Sequence, residues 1–162
     1  MNRTPKRILI LGMICLVIAV AATGFGATAE QGRSRGQILY VPVYSEIPYG
    51  DRGLTMNLTV ALSVRNTDFK HSITVRRVEY HSSTGSLVRS YLTEPQSLKP
   101  LASSEFIVKE SDRSGGISAS FIVDWDGDAP VSVPVVEAVM IGTASTQGIS
   151  FTSPARVLKE KH

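Results

Sequence analysis

The chain has 162 residues, with 17 Lys and Arg, 14 Asp and Glu, three His and one Cys. Three of the basic residues, Arg3, Lys6 and Arg7, precede residue 8, and every acid follows residue 29, so the remainder is formally neutral. That balance leaves no electrostatic footprint for nucleic acid, and the single Cys15 excludes a disulfide framework.

Residues 1–29 read as a secretory signal peptide. A basic start is followed by fifteen apolar residues, Ile8 to Ala22, and then by small residues at Ala27-Thr28-Ala29. Fifteen helical residues span about 22 Å, short of a bilayer core of roughly 30 Å. The alternative is an uncleaved inner-membrane anchor over residues 8–29, because TGFGATA extends the apolar run. Cys15 is not a lipidation site: Gly12, Met13 and Ile14 do not form the Leu-small-small triplet, and the apolar run continues past it.

Residues 30–36 are expected as a flexible lead-in, 37–158 as one domain and 159–162 as a charged tail. ILYVPVY (38–44) predicts a strand, and Pro42, which has no N–H for a ladder, points to an edge or bulge. LTMNLTVALSVRN predicts one long strand. Leu54, Met56, Leu58, Val60, Leu62 and Val64 alternate with polar or small residues and should share a buried face. ITVRRVEYH (73–81) and SLVRSYL (86–92) flank Ser82-Ser83-Thr84-Gly85, a four-residue hairpin loop. EPQSLKPLASS is expected as a crossing loop without a helix, given its two prolines.

EFIVKE (105–110), ISASFIVDW (117–125), VVEAVMIG (135–142) and GISFT (148–152) complete the strands. In VVEAVMIG a helix competes, but the valines and the flanking Pro134 and Gly142 favour a strand. No segment carries a convincing 3.6-residue period. The expected fold is all-β: a single immunoglobulin-like β-sandwich of about seven to nine mostly antiparallel strands, following the signal segment.

GQILYVPVYS, LTVALSVRNTD, PLASSEFIVKESD, SGGISASFIVDW and PVVEAVMIGTASTQGISFTS together resemble a bacterial family of exported proteins, domain of unknown function 3124. The likeness covers nearly all of residues 36–153. It implies a bacterial, extracytoplasmic setting, in the periplasm or at the cell surface. It brings no catalytic or binding residues to carry over.

Chemistry has few candidates. Without a mature cysteine a blue-copper site is excluded, and His71, His81 and His162 show no zinc spacing. Gly116-Ile117-Ser118 and Gly148-Ile149-Ser150 begin like nucleophile elbows but lack the closing glycine and a following helix. No phosphate-binding glycine loop is present, and the sequon at Asn57 falls within a strand. No cofactor and no enzymatic activity are expected.

Two stretches remain. FIVDWDGDAP (121–130) carries Asp124, Asp126 and Asp128 around Trp125. By strand parity Ile117, Ala119, Phe121, Val123 and Trp125 face the core, while Asp124 and Asp126 face solvent about 6.7 Å apart. Gly127 and Asp128 should then open a turn toward Pro130. An EF-hand loop fails, since Ala129 and Val135 occupy the glycine and glutamate positions. A weak metal candidate persists if Glu137 swings beside Asp124 and Asp126.

YVPVYSEIPYGDR offers Tyr40, Tyr44 and Tyr49 as weak partner-binding candidates, but the favoured reading is that Tyr40 and Tyr44, four apart and so on one face, pack into the core. The leading expectation is a non-enzymatic exported module that binds or scaffolds another envelope protein or surface component. It would meet no nucleic acid, and would meet the membrane only if the N-terminal segment stays uncleaved. The alternatives are an extracytoplasmic hydrolase using loop carboxylates and a small calcium-stabilised module.

Overall fold

The structure, a computed structural model, describes residues 32–143 and 148–162. The segment read as a signal peptide, 1–29, lies outside the described residues. Those residues form twelve strands and no helix. In chain order the strands are β1 (Arg33–Val43), β2 (Glu46–Tyr49), β3 (Leu54–Asn57), β4 (Thr59–Arg65), β5 (Ile73–His81), β6 (Leu87–Ser90), β7 (Gln96–Leu98), β8 (Ser103–Val108), β9 (Ala119–Ser132), β10 (Val135–Gly142), β11 (Ile149–Pro154) and β12 (Arg156–Glu160).

A six-stranded sheet runs β12-β1-β9-β5-β6, with β7 also pairing β5. A four-stranded sheet runs β11-β10-β4-β8, and β2 and β3 form a separate ribbon. Every pairing is antiparallel. The inward residues follow the predicted period of two. Leu39, Val41 and Val43 of β1, Phe121, Val123 and Trp125 of β9, and Val75, Val78 and Tyr80 of β5 are buried. They join Val60, Leu62 and Val64 of β4, Phe106 and Val108 of β8, and Ala138 and Met140 of β10 in one apolar cluster. Each large side chain buried there contributes about 1.5–3 kcal/mol, and with no cysteine among the described residues this cluster takes the place of a disulfide.

Trp125 is fully buried, as its parity predicts. The hairpin after β5 also forms: Gly85 has φ of 81°, and its N–H donates to the Ser82 carbonyl at 2.9 Å.

Several expectations are corrected by long-range pairing. β1 is not an edge strand; β9 flanks it along its length and β12 flanks Gln37–Tyr40. The β12 pairing stops before Pro42, so one side of β1 is open where the residue without an N–H sits. LTMNLTVALSVRN is not one strand. It breaks at Leu58, whose N–H donates to the Ser45 carbonyl at 2.9 Å, and its first half leaves the sheet to pair with β2. Leu54 is therefore half-exposed instead of buried.

The crossing loop contains β7, and this strand, β2, β12 and the separation of β3 from β4 bring the count to twelve. Ile117 precedes β9 and is exposed rather than core. Residues 33–36, expected in the lead-in, and 159–160, expected in the tail, are paired strand.

The largest correction concerns DGDAP. The chain does not turn there. Gly36 pairs with Asp126 and Ser34 with Val131, so residues 127–130 bulge out opposite Arg35 and β9 continues to Ser132. Turn-forming residues here serve a bulge, which keeps a long strand paired while bending it. Gly36 makes the close approach possible: a Cβ there would lie 2.5 Å from the Trp125 carbonyl oxygen.

Candidate interaction surface

Asp124 and Asp126 alternate with the inward residues of β9 and point to the outer face of the six-stranded sheet. Cations from two segments, β5 and the residues after β12, meet them. The Lys161 ammonium donates to Asp124 Oδ1 and lies 3.6 Å from Asp126 Oδ2. Arg76 Nε donates to Asp126 Oδ2 at 2.8 Å, a bond that raises the guanidinium pKa further. Arg77 Nη2 sits 3.9 Å from Asp124 Oδ2.

Glu137, the third ligand of the conceivable metal site, does not join them. It lies on β10 in the other sheet, 3.3 Å from Arg65. Among the described residues no group of three or more His, Cys, Asp or Glu is placed to hold a metal ion. The repulsion that a cation would have relieved is relieved by Lys161, Arg76 and Arg77.

The three tyrosines separate. Tyr40 is half-buried on β1, opposite Ile122 of β9 and Arg156 of β12. Tyr44, just past β1, packs against the core with its ring centroid 5.9 Å from that of Phe151. Tyr49 is 49% exposed on β2, directly opposite Leu54, which is equally exposed. The connecting loop turns on Gly50 and Gly53, at φ of 62° and 66°, which L side chains rarely adopt. Arg113 holds the base of this ribbon, its Nη2 donating to Glu46 Oε2 at 2.6 Å. Ile47 and Met56 pack inward against the core, leaving Tyr49 and Leu54 as an apolar pair at the tip.

A second built feature lies at the other end of β1, in the loop Asn66–His71 between β4 and β5. Asp68 is only 4% exposed. Its Oδ1 accepts the backbone N–H groups of Lys70 and His71 at 2.8 and 2.9 Å, and lies 3.1 Å from the His71 ring. Its Oδ2 accepts the Ser132 N–H at 3.0 Å. The bond from Ser132, then those from Lys70 and His71, hold the carboxyl far below the usual carboxylate range.

Asn66 completes the knot. Its amide donates to the carbonyls of His71, Leu98 and Lys99, and its Oδ1 accepts the Asp68 N–H. Thr67 donates to the Val133 carbonyl at 2.9 Å. This fixed loop nevertheless presents Phe69 at 80% exposure beside a groove of about 300 Å³ that Arg33, Lys70 and Ser132 also line.

The family described as Protein of unknown function (DUF3124) matches residues 36–158. The chain belongs to this family. No curated protein matches it. A solved structure, the crystal structure of Thermotoga maritima 1070, is similar at 12% identity and a TM-score of 0.43, covering 79% of this chain and 97% of that one. The DUF3124 match runs from within β1 into β12, so it takes in both the ribbon and the Asn66–His71 loop.

Reading the DUF3124 sequence strand by strand passes over Asn66 and Asp68. A local signal for them exists: Asn and Asp two apart after a strand bond their own backbone two residues on, as Asx turns do. Leu54 also escapes notice as a surface residue, because its parity matches that of the core positions. Of the histidines, His71 lies in the loop, while His81 on β5 is within 3.2 Å of Glu79.

Proposed function

We propose that this DUF3124 protein is an exported, non-enzymatic module that binds or scaffolds another component of the cell envelope. Its fold on this reading is an immunoglobulin-like β-sandwich. Support for the sandwich comes from the single apolar cluster that strands of the two larger sheets share. Support for export comes from the basic start, the apolar run and the Ala27-Thr28-Ala29 site in the sequence.

The observation that carries binding is the Tyr49–Leu54 pair, two large apolar side chains half in water at the tip of a ribbon that pairs with neither larger sheet. Such a pair gains free energy by leaving water, at about 25 cal/mol per Å² of apolar area covered. A tyrosine gives that area at low entropic cost, with a hydroxyl for orientation.

The test is a photo-crosslinking amino acid placed at Tyr49 in living cells, with one at Tyr40 as a comparison. The reading expects a discrete adduct of larger mass from position 49 and not from position 40. A protein that stays at monomer mass from position 49 would overturn it.

A further inference from the structure

We propose that the Asn66–His71 loop rests on an anionic bilayer surface, with Phe69 entering the headgroup region and Arg33, Arg35 and Lys70 meeting lipid phosphates. The proposal rests on the reading of residues 8–29 as an export segment. Phe69 is the most exposed of the large apolar side chains among the described residues. A floppy loop would fold its phenylalanine back onto the protein. This one is held by the Asp68 carboxylate, the Asn66 amide and the Thr67 hydroxyl, each bonded to backbone. The ordering cost of presenting Phe69 is therefore met during folding and not at contact, which is how preorganised surfaces gain affinity.

Charge selects the kind of surface. Arg33 and Lys70 line the groove beside Phe69, and Arg35 stands opposite the bulge. Arg33 Nη2 donates to the Pro130 carbonyl and lies 3.9 Å from Asp68, while Arg35 makes only a 3.4 Å bond to the Asp128 carbonyl. The acid inside the loop, Asp68, is buried and fully bonded, and Asp128 is the exposed acid of the bulge. An aromatic ring flanked by Lys and Arg is the composition of interfacial membrane contacts, with ring at headgroup depth and cations at the phosphates.

The exposed ring is the reason for a bilayer and not a soluble anion: an anion in solution would meet Arg33 and Lys70 and leave Phe69 in water. The Gly32 carbonyl accepts the Val133 N–H at 3.2 Å, and the Val133 carbonyl accepts the Thr67 hydroxyl. The start of β1 thus lies beside the Phe69 loop. The Tyr49–Leu54 tip follows the opposite end of β1, which at eleven residues is about 36 Å long. One end of the domain then faces lipid while the other faces outward.

The experiment uses the full chain reconstituted into vesicles, with F69W and L54W as separate fluorescent reporters and the buried Trp125 signal subtracted using the parent chain. Brominated acyl chains in phosphatidylglycerol vesicles should quench the F69W indole and leave the L54W indole bright. Adding R33Q, R35Q and K70Q should lower the ratio of docked to undocked loop about fivefold for each cation removed. An unquenched F69W reporter, equal quenching of the L54W reporter, or equal quenching in phosphatidylcholine vesicles would each overturn the proposal. Cell fractionation separates the two readings: a cytoplasmic protein sinks the export reading, whereas an exported protein whose F69W indole stays in water sinks this one alone.

Discussion

Asp68 and Ser132 stand 64 positions apart, yet the Asp68 carboxylate accepts the Ser132 N–H at 3.0 Å. That bond ties the loop after β4 to the end of β9, joining the two larger sheets at one corner. The same carboxylate holds the Lys70 and His71 amides, so one ionised side chain organises the loop that displays Phe69.

A carboxyl whose pKa is depressed by folding stabilises the folded state above its unfolded value, near 3.9, and loses that contribution as pH falls toward the folded value. Asp68 is such a group. The midpoint of thermal unfolding should therefore fall as pH is lowered from about 4 to 2. D68N should melt lower at neutral pH, because its amide turns a donor toward backbone N–H groups, and its midpoint should respond less to acid. Circular dichroism melts across this range decide it: a D68N slope as steep as the parent's assigns the acid sensitivity elsewhere.

Gly36 lies where β1 meets the β9 bulge. A methyl group there would come within 2.9 Å of the Asp126 Cα as well as against the Trp125 carbonyl, and neither backbone atom can swing aside. G36A should cost about 1–3 kcal/mol in urea unfolding. Gly32 has open space around it, so G32A is the matched control and should be neutral or slightly stabilising. Equal stability of the two variants would mean that the bulge adjusts freely.

Tyr80 is fully buried beside Phe121, with ring centroids 5.2 Å apart. Among the described residues its hydroxyl has no hydrogen-bond partner of good geometry. Ser45 is near it, but donates its own proton to the Gly116 carbonyl. Burial raises the phenol pKa, so the group stays neutral and unpaired. Y80F should leave stability unchanged or raise it by up to about 1 kcal/mol. A loss of that size would instead reveal that Ser45 accepts from the phenol.

How far these features can be read from sequence depends on the range of the interactions that make them. The bounds of β5 and β10 coincide with the alternating runs, because Pro134 and the turn residues around Gly85 act locally. The buried rows of β4 and β9 follow from parity alone. The break at Leu58 is invisible, because the alternation continues through it while the hydrogen-bond partner changes from β10 to β2. DGDAP has the composition of a turn, and only the pairing of Ser34 and Gly36 across it makes it a bulge. At the surface, Tyr49 could be named but not its partner Leu54. Asp68 shows its Asx-turn half in NTDFKH, while the Ser132 half needs the fold.

Tyr49 and Leu54 face each other across the ribbon and bury little. The double variant Y49S/L54S should change unfolding free energy by no more than about 0.5 kcal/mol, as surface substitutions do. If the pair is the binding tip, that variant loses the cellular adduct captured by a crosslinker placed next to it at Pro48. Retention of the adduct by a folded double variant assigns binding to another face.

The acidic pair in the middle of β9 gives the remaining prediction. Asp124 and Asp126 are each partly buried and already faced by Lys161, with Arg76 on Asp126 and Arg77 near Asp124. A calcium ion would have to displace the ammonium, and Glu137 stands in the other sheet beside Arg65. Millimolar calcium should therefore leave the melting midpoint of the parent chain where chelator leaves it. K161M should cost about 0.5–1 kcal/mol, the scale of a partly exposed ion pair, and should leave Arg76 and Arg77 as the cations facing the two carboxylates. Differential scanning calorimetry of both proteins, with and without calcium, reads the answer. A midpoint that rises with calcium in the parent chain would mean that the carboxylates prefer the metal to the lysine. A rise confined to K161M would show that Lys161 occupies the position a cation would take.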